Sequence, residues 1–165
     1  MASQFPAFLA HAGPIEEPRV YEATFLSTDA SQPGEFVFFD TADNTVKICG
    51  ADPALIMGMN LGNAPASVLL SGRSPLPYAA NKGPVAVLAP DVIVGLSSTT
   101  TPSLAFVTRA AGLTRVTSGG RAFWQCDTSK TAGTSREIIV DIDIPNGIFF
   151  VRFKPANLQG QAVVS

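Results

Sequence analysis

Hydrophobic and polar residues alternate in many short runs along this chain. In the clearest run, residues 137–144, one side is apolar and the other is acidic. The apolar side consists of Ile138, Val140, Ile142 and Ile144, and the acidic side of Glu137, Asp141 and Asp143. A period of two is typical of a strand with one buried face. The run therefore predicts a half-buried strand whose acids lie on a solvated face.

A second strand pattern, at residues 148–153, is apolar on both sides. Phe149, Val151 and Phe153 point one way, whereas Ile148 and Phe150 point the other way. One face of a sheet does not bury both sides of such a strand. We expect either a second layer of the same subunit or another subunit to cover it.

The connection between these two runs contains Pro145, an asparagine and Gly147. A two-residue loop would pair Ile144 with Phe149, and a three-residue loop would pair Ile144 with Ile148. The three-residue loop is favoured, because it uses the fixed φ of Pro145 where the missing N–H is not needed. Both loops require a positive φ at Gly147.

Strand patterns recur over the rest of the chain, separated by Gly, Pro, Asn and Asp. They cover residues 20–26, 34–40, 45–49, 55–61, 67–71, 85–88, 92–96, 113–116 and 123–126. Only two places look helical, a single turn at 52–55 and a short helix at 103–111 whose centre reads equally well as a strand. Many short strands with at most one or two helical turns predict an all-β barrel or sandwich.

The domain organisation follows from proline content. Residues 1–19 are too rich in proline for a helix and predict an extended N-terminal arm, which docks either on its own domain or on a neighbour. Residues 20–165 predict a single all-β domain. The polar stretch 97–102 is the one place where this domain would divide into two lobes.

The amino-acid composition argues against several classes of function. The chain has 165 residues, of which 46% are hydrophobic and only 15% charged, as is typical of proteins that assemble. The net charge of −2 argues against nucleic acid as a partner. No apolar run is long enough to span a membrane, and the N-terminus lacks the features of a signal peptide. Cys49 and Cys126 are expected to be reduced thiols.

Catalytic and metal-binding patterns are weak. His11 is the single histidine, and with two distant cysteines it falls short of a zinc site or a catalytic triad. Asp141 and Asp143 have the spacing of paired carboxylates, but a solvated strand face explains them better. The stretch 40–44 offers oxygen ligands for calcium, although a hairpin turn is the simpler interpretation. We therefore expect no enzyme activity, metal or cofactor.

The apolar residues outside a clear core pattern are candidates for a contact surface. Trp124 is either an exposed platform for a sugar or an interface, or a core residue. The full set of candidates is Phe5, Phe8, Leu9, Trp124, Ile148 and Phe150.

Four segments carry a resemblance to a known family: GEFVFFD at 34–40, VKICGADP at 46–53, PVAVLAPDV at 84–92, and WQCDTSK at 124–130 with the strands that follow to Phe153. With these segments the chain resembles the small decoration proteins, also called cement or head-stabilising proteins, of tailed-phage capsids. The resemblance implies a tulip-like or small barrel domain that binds the outside of an expanded capsid. It also implies a homo-oligomer, a trimer rather than a dimer, that bridges neighbouring major capsid subunits in the virion.

Two other functions fit the same sequence. A carbohydrate-binding β module would use Trp124, with Tyr78, as stacking platforms. A structural component of a phage tail or fibre would share the same strand content, and no residue separates head from tail.

Overall fold

The computed structural model describes residues 4–10, 20–25, 31–50, 53, 55–61, 82–119, 121–130 and 135–159. These residues form β1 (Phe8–Ala10), β2 (Val20–Thr24), β3 (Phe36–Asp40), β4 (Thr45–Ile48), β5 (Gly58–Asn60), β6 (Lys82–Val87), β7 (Ile93–Ser98), β8 (Ala110–Ser118), β9 (Arg121–Asp127), β10 (Glu137–Asp143) and β11 (Ile148–Phe153). Two short 3-10 turns, Leu104–Phe106 and Pro155–Asn157, are the only helical segments among them. The predicted all-β class is confirmed.

Five strands close into a barrel. Their order is β7-β11-β10-β8-β9, and a parallel pairing of β9 with β7 completes the ring. All other pairings in the barrel are antiparallel. The short strand β1 extends the same sheet by pairing with the first half of β7. The N-terminal segment therefore lies on the barrel of its own chain over residues 8–10.

The other five strands form a second sheet in the order β2-β6-β5-β3-β4, with every pairing antiparallel. A single parallel bridge between Phe25 and Val46 brings its two edge strands together. The chain passes from this sheet to the barrel between Val87 and Ile93. The stretch 97–102, where the sequence suggested a boundary between two lobes, begins in β7 with Ser97 and Ser98. It therefore belongs to the barrel and does not lie between the two sheets.

The main hydrophobic core fills the barrel and reaches the second sheet. Phe36 of β3 lies between the two, with its ring centroid 5.3 Å from that of Trp124 and 5.2 Å from that of Phe153. A smaller cluster lies within the second sheet and consists of Phe25, Val37, Val46 and Val85. The two sheets are therefore joined by large aromatic side chains as well as by the chain itself.

Strand β10 differs from its predicted pattern. The register shifts between Ile139 and Asp141, so the strand has a bulge at Val140. A bulge exchanges the inward and outward positions of a strand. As a result Ile139 and Ile142 are buried together, and the expectation of a solvated Glu137 is wrong because its exposure is 0%.

The turn after β10 also differs from both predicted registers. Asp143 pairs with Ile148, which leaves residues 144–147 as a four-residue loop. The Asp143 carboxylate accepts hydrogen bonds from the backbone N–H (3.2 Å) and the side-chain amide (2.8 Å) of Asn146. This side chain stabilises the longer loop, and Ile144 is 45% exposed at its start. Gly147 has the expected positive φ, at 68°.

The stretch 103–111 forms neither the short helix nor, at residues 106–108, the strand that the sequence allowed equally well. Ser103 caps only the 3-10 turn, accepting a hydrogen bond from the N–H of Ala105 at 3.3 Å. From Ala110 onward the backbone pairs in β8, and strand pairing there prevails over helix propensity. The expected strand at 67–71 lies outside the described residues, as do residues 52 and 54 of the turn at 52–55.

Candidate functional site

Three phenylalanines form a continuous strip on the outer side of the barrel, here called the aromatic strip: Phe5, Phe8 and Phe150. The ring centroids of Phe5 and Phe8 are 6.0 Å apart, and those of Phe8 and Phe150 are 6.4 Å apart with the rings perpendicular. Phe8 is 38% exposed, while the other two are half-buried. Residues distant in the sequence therefore share one partly solvated apolar surface.

The position of this strip depends on a glycine in β7. Phe8 pairs with Gly95, and the Phe8 ring lies directly over it. A Cβ at Gly95 would overlap the ring, so only glycine leaves room for Phe8 in this position. Phe150 is also the strand partner of Gly95, on the opposite edge of β7. The two phenylalanines meet because the residue between them has no side chain.

The remaining candidates for a contact surface divide into three cases. Ile148 lies two residues before Phe150 on β11 and is half-buried. Leu9 packs against the main core rather than joining the strip. The prediction that Trp124 belongs to a contact surface is wrong, because its exposure is 0% and its ring packs against Phe36 inside the core. Although polar residues follow Trp124 in the sequence, its side chain points from β9 into the core.

Two glutamates are fully buried, which the sequence did not predict. The first, Glu35, precedes β3 and is 0% exposed. Its Oε1 accepts a hydrogen bond from Nε of Arg115 in β8 at 2.7 Å, and its Oε2 accepts one from the N–H of Gln32 at 3.0 Å. Because the Arg115 side chain is 29% exposed, this ion pair joins the second sheet to the barrel near the surface.

The second, Glu137, begins β10 and points into the barrel. Its strand partners are Ala111 and Phe153, both buried, and neither of its carboxyl oxygens has a hydrogen-bond partner among the described residues. The polar group facing it is the Cys126 thiol, a weak donor. Burial raises the pKa of Glu137 well above its usual range, the Cys126 thiol opposes this shift, and Asp127 adds to it. Burial therefore favours the neutral form of this carboxyl.

The hairpin turn at 40–44 uses its acidic oxygens internally. The Lys47 ammonium lies 2.6 Å from the Asp40 carboxylate and 2.9 Å from that of Asp43. Lys47 lowers the pKa of Asp40, and hydrogen bonds from Thr45 and Lys47 lower the pKa of Asp43. The hairpin interpretation accounts for these groups. In the part of the chain that the structure describes, no cluster of three His, Cys, Asp or Glu side chains is arranged to hold a metal.

The second sheet contains an open cavity of about 440 Å³. Its walls are mainly apolar and include Phe39, Val46, Met57, Val85 and Val87. Polar groups from β2 lie at its rim, among them the exposed Glu22. The interior of this sheet is therefore less completely filled than that of the barrel.

No helix among the described residues is long and apolar enough to cross a membrane. Comparisons with models of protein families, with curated proteins and with solved structures found no match to this chain.

Proposed function

We propose that the protein is a virion structural protein that decorates the outside of an expanded tailed-phage capsid. In this role it stabilises the shell by bridging neighbouring major capsid subunits. The proposal rests on the resemblance of the four sequence segments. The observation that carries it is the aromatic strip, an apolar surface displayed on the outer side of a closed barrel.

An exposed apolar surface of this kind gains free energy when a partner covers it. Phe8 exposes part of an aromatic ring, and covering aromatic surface releases about 25 cal/mol for each Å² removed from water. Aromatic side chains are also the residues that anchor protein interfaces most often. Phe8 and Phe150 lie on paired strands, so these two residues lose little conformational freedom on binding. Many copies with modest contacts would together stabilise a shell.

We propose that the protein acts as a homo-oligomer, a trimer rather than a dimer. A trimer that spans a local symmetry axis would contact several capsid subunits at once, which raises the effective concentration of each contact. Light scattering at several protein concentrations measures the oligomeric state. A mass that stays at one chain under all conditions would contradict this part of the proposal.

Co-sedimentation with capsids tests the function directly. The particles are expanded capsids assembled from the major capsid protein encoded in the same genome as this chain, and unexpanded procapsids serve as the control. We expect saturable binding to expanded capsids and little binding to procapsids. Absence of binding to both, or binding to purified tails instead, would favour the tail or fibre alternative.

The contact surface is tested by Phe150→Ser. We expect this variant to bind expanded capsids at least about tenfold more weakly, because the loss of about 1.4 kcal/mol corresponds to one ring losing its partner. Leu104→Ser is the matched control, since Leu104 is 63% exposed and lies outside the strip. Circular dichroism confirms that both variants fold. Equal binding by both variants would exclude the strip as the contact surface.

The carbohydrate-binding alternative loses one of its two platforms. Trp124 is buried, and Tyr78 lies outside the described residues. A blue-shifted tryptophan emission that glycans do not alter is the expected result. A titration in which a glycan quenches this emission would restore the alternative.

A further inference from the structure

The hairpin formed by β8 and β9 is attached to the rest of the barrel by two short junctions. On one side β8 meets β10 only at Ala110 and Ala111, which pair with Ile138 and Glu137. On the other side β9 meets β7 at two pairs, Ser97 with Gln125 and Ser98 with Cys126. Within the hairpin itself, pairing covers the whole of β9 and residues 112–118 of β8. Both strand pairings are short, and backbone hydrogen bonds continue each junction just beyond the strands, from Thr108 N–H to Ile139 O and from Thr99 N–H to Cys126 O.

One buried polar side chain from each junction meets the other inside the barrel. Glu137 belongs to the junction with β10, and Cys126 to the junction with β7. The thiol faces the carboxyl, and each affects the ionisation of the other. Both residues are 0% exposed. A charge on Glu137 would therefore act at both attachments of the hairpin together.

We propose that Glu137 is a proton-controlled lock on this hairpin. With a neutral carboxyl, the end of the hairpin that carries Ala111 and Cys126 closes the barrel. With a carboxylate, that end detaches, because a buried charge that faces only a weak thiol donor among the described residues is costly, and water becomes its best partner. The opposite part of the hairpin stays tied to the second sheet by the ion pair of Arg115 with Glu35.

The charged groups on the surrounding strands do not stabilise a carboxylate at this position. From β9, Asp127 opposes ionisation of Glu137. The nearby cations are engaged elsewhere or point outward: Arg109 lies over the Phe106 ring at 5.6 Å, Arg115 binds Glu35, Arg152 is exposed, and Lys154 donates to Ser135 Oγ at 2.5 Å. Arg136 precedes Glu137, and the backbone N–H of Arg136 donates to the Ala111 carbonyl. None of these cations lowers the pKa of Glu137.

The direction of the pH dependence follows from the raised pKa of Glu137 in the folded chain. The closed state keeps its full stability below the pKa of a free glutamate, about 4.3. It loses stability as the pH rises from there toward the folded pKa, since the open state releases its proton first. The hairpin is therefore expected to open progressively as the pH rises above the pKa of a free glutamate.

Thiol labelling provides the test, because the chain has one buried cysteine in the hairpin and one outside it. Cys126 reports opening of the hairpin, and Cys49, beside the second sheet, reports opening elsewhere. Iodoacetamide labelling of the wild type and of Glu137→Gln is followed by mass spectrometry of the two cysteine peptides between about pH 6 and about pH 9. Labelling takes place in the open state, where the thiol is solvated and away from residue 137 in both proteins, so the rise of its own reactivity with pH cancels in their ratio.

We expect the ratio of Cys126 labelling rates, wild type over Glu137→Gln, to increase by about tenfold or more across this range. The same ratio for Cys49 should stay constant. A constant ratio at Cys126 would overturn the proposal, and so would a parallel rise at Cys49, which indicates global unfolding. Glu137→Met is a second variant that suits the apolar surroundings and should behave as Glu137→Gln does. Failure of both variants to fold would also overturn the proposal, because the carboxyl would then support the closed state.

Discussion

The barrel interior is filled by large side chains, among them Trp124, Phe149 and Phe153, and the carboxyl oxygens of Glu137 have no hydrogen-bond partner in the described part of the chain. The second sheet has only a small apolar cluster and an open cavity of about 440 Å³. Its buried acid, Glu35, has both carboxyl oxygens hydrogen-bonded, one of them to Arg115. The densely packed region thus contains the unpaired acid, and the loosely packed region contains the paired one.

This difference shows two ways of stabilising a small β protein. In the barrel, dispersion and burial of apolar surface are large enough to offset the cost of an unpaired carboxyl, provided that it stays neutral. The apolar cluster of the second sheet is smaller, so the ion pair with the barrel accounts for a larger share of the stability of this region. Removing a charge should therefore have opposite effects in the two regions.

The largest expected effect comes from Arg115→Met, which leaves Glu35 buried without its cation. We expect a loss of roughly 3 kcal/mol in the free energy of unfolding, at the low end for buried pairs because Arg115 is partly exposed. Urea denaturation measures it. Lys82→Met is the control, since Lys82 and Glu22 form an exposed pair at 3.7 Å and should contribute nothing measurable. Similar losses in both variants would contradict the importance of the buried pair.

Glu137→Gln should act in the opposite direction. Because the folded pKa of Glu137 is raised, the wild type loses up to about 1.4 kcal/mol per pH unit relative to this variant as the pH rises above about 4.3. Below that pH the two proteins should have nearly equal stability. Urea denaturation at several pH values measures the difference. A variant that is less stable than the wild type at every pH would show that the two acids do not differ.

A matched pair of valines compares the packing of the two regions. Val94 in the barrel and Val85 in the second sheet are both 0% exposed. We expect Val94→Ala to cost about 2.5 kcal/mol and Val85→Ala about 1.5 kcal/mol, because Val85 already borders a cavity. Thermal and urea unfolding of both variants measure this. Equal losses would indicate that the cavity is filled in solution.

The smallest effect is expected from adding a methyl group. Val87→Ile extends into the cavity of the second sheet and should change stability by less than about 0.5 kcal/mol, whereas Val94→Ile overpacks the barrel and should cost about 1 kcal/mol. The melting temperatures of the two variants give the comparison. A larger cost for Val87→Ile than for Val94→Ile would reverse the assignment of dense and loose packing.

The candidate contact surface was predictable only in part. The apolar outer side of β11 pointed to Ile148 and Phe150, and the proline-rich N-terminus pointed to Phe5 and Phe8. Their meeting depends on strand β1 pairing with β7 and on the missing side chain of Gly95, neither of which leaves a local pattern. Trp124 was ambiguous, because one aromatic residue in a strand fits an interior and a surface equally well.

The sequence by itself determined the strand content, the two apolar sides of β11 and the positive φ of Gly147, because these depend on periodicity and on local backbone preference. Only the tertiary structure decided which side of β10 is buried, since the bulge at Val140 arises from pairing with a neighbouring strand. It also decided that Glu35 gains a cation while Glu137 does not. Burial and pairing of a charge depend on residues far away in the chain, and no local pattern records them.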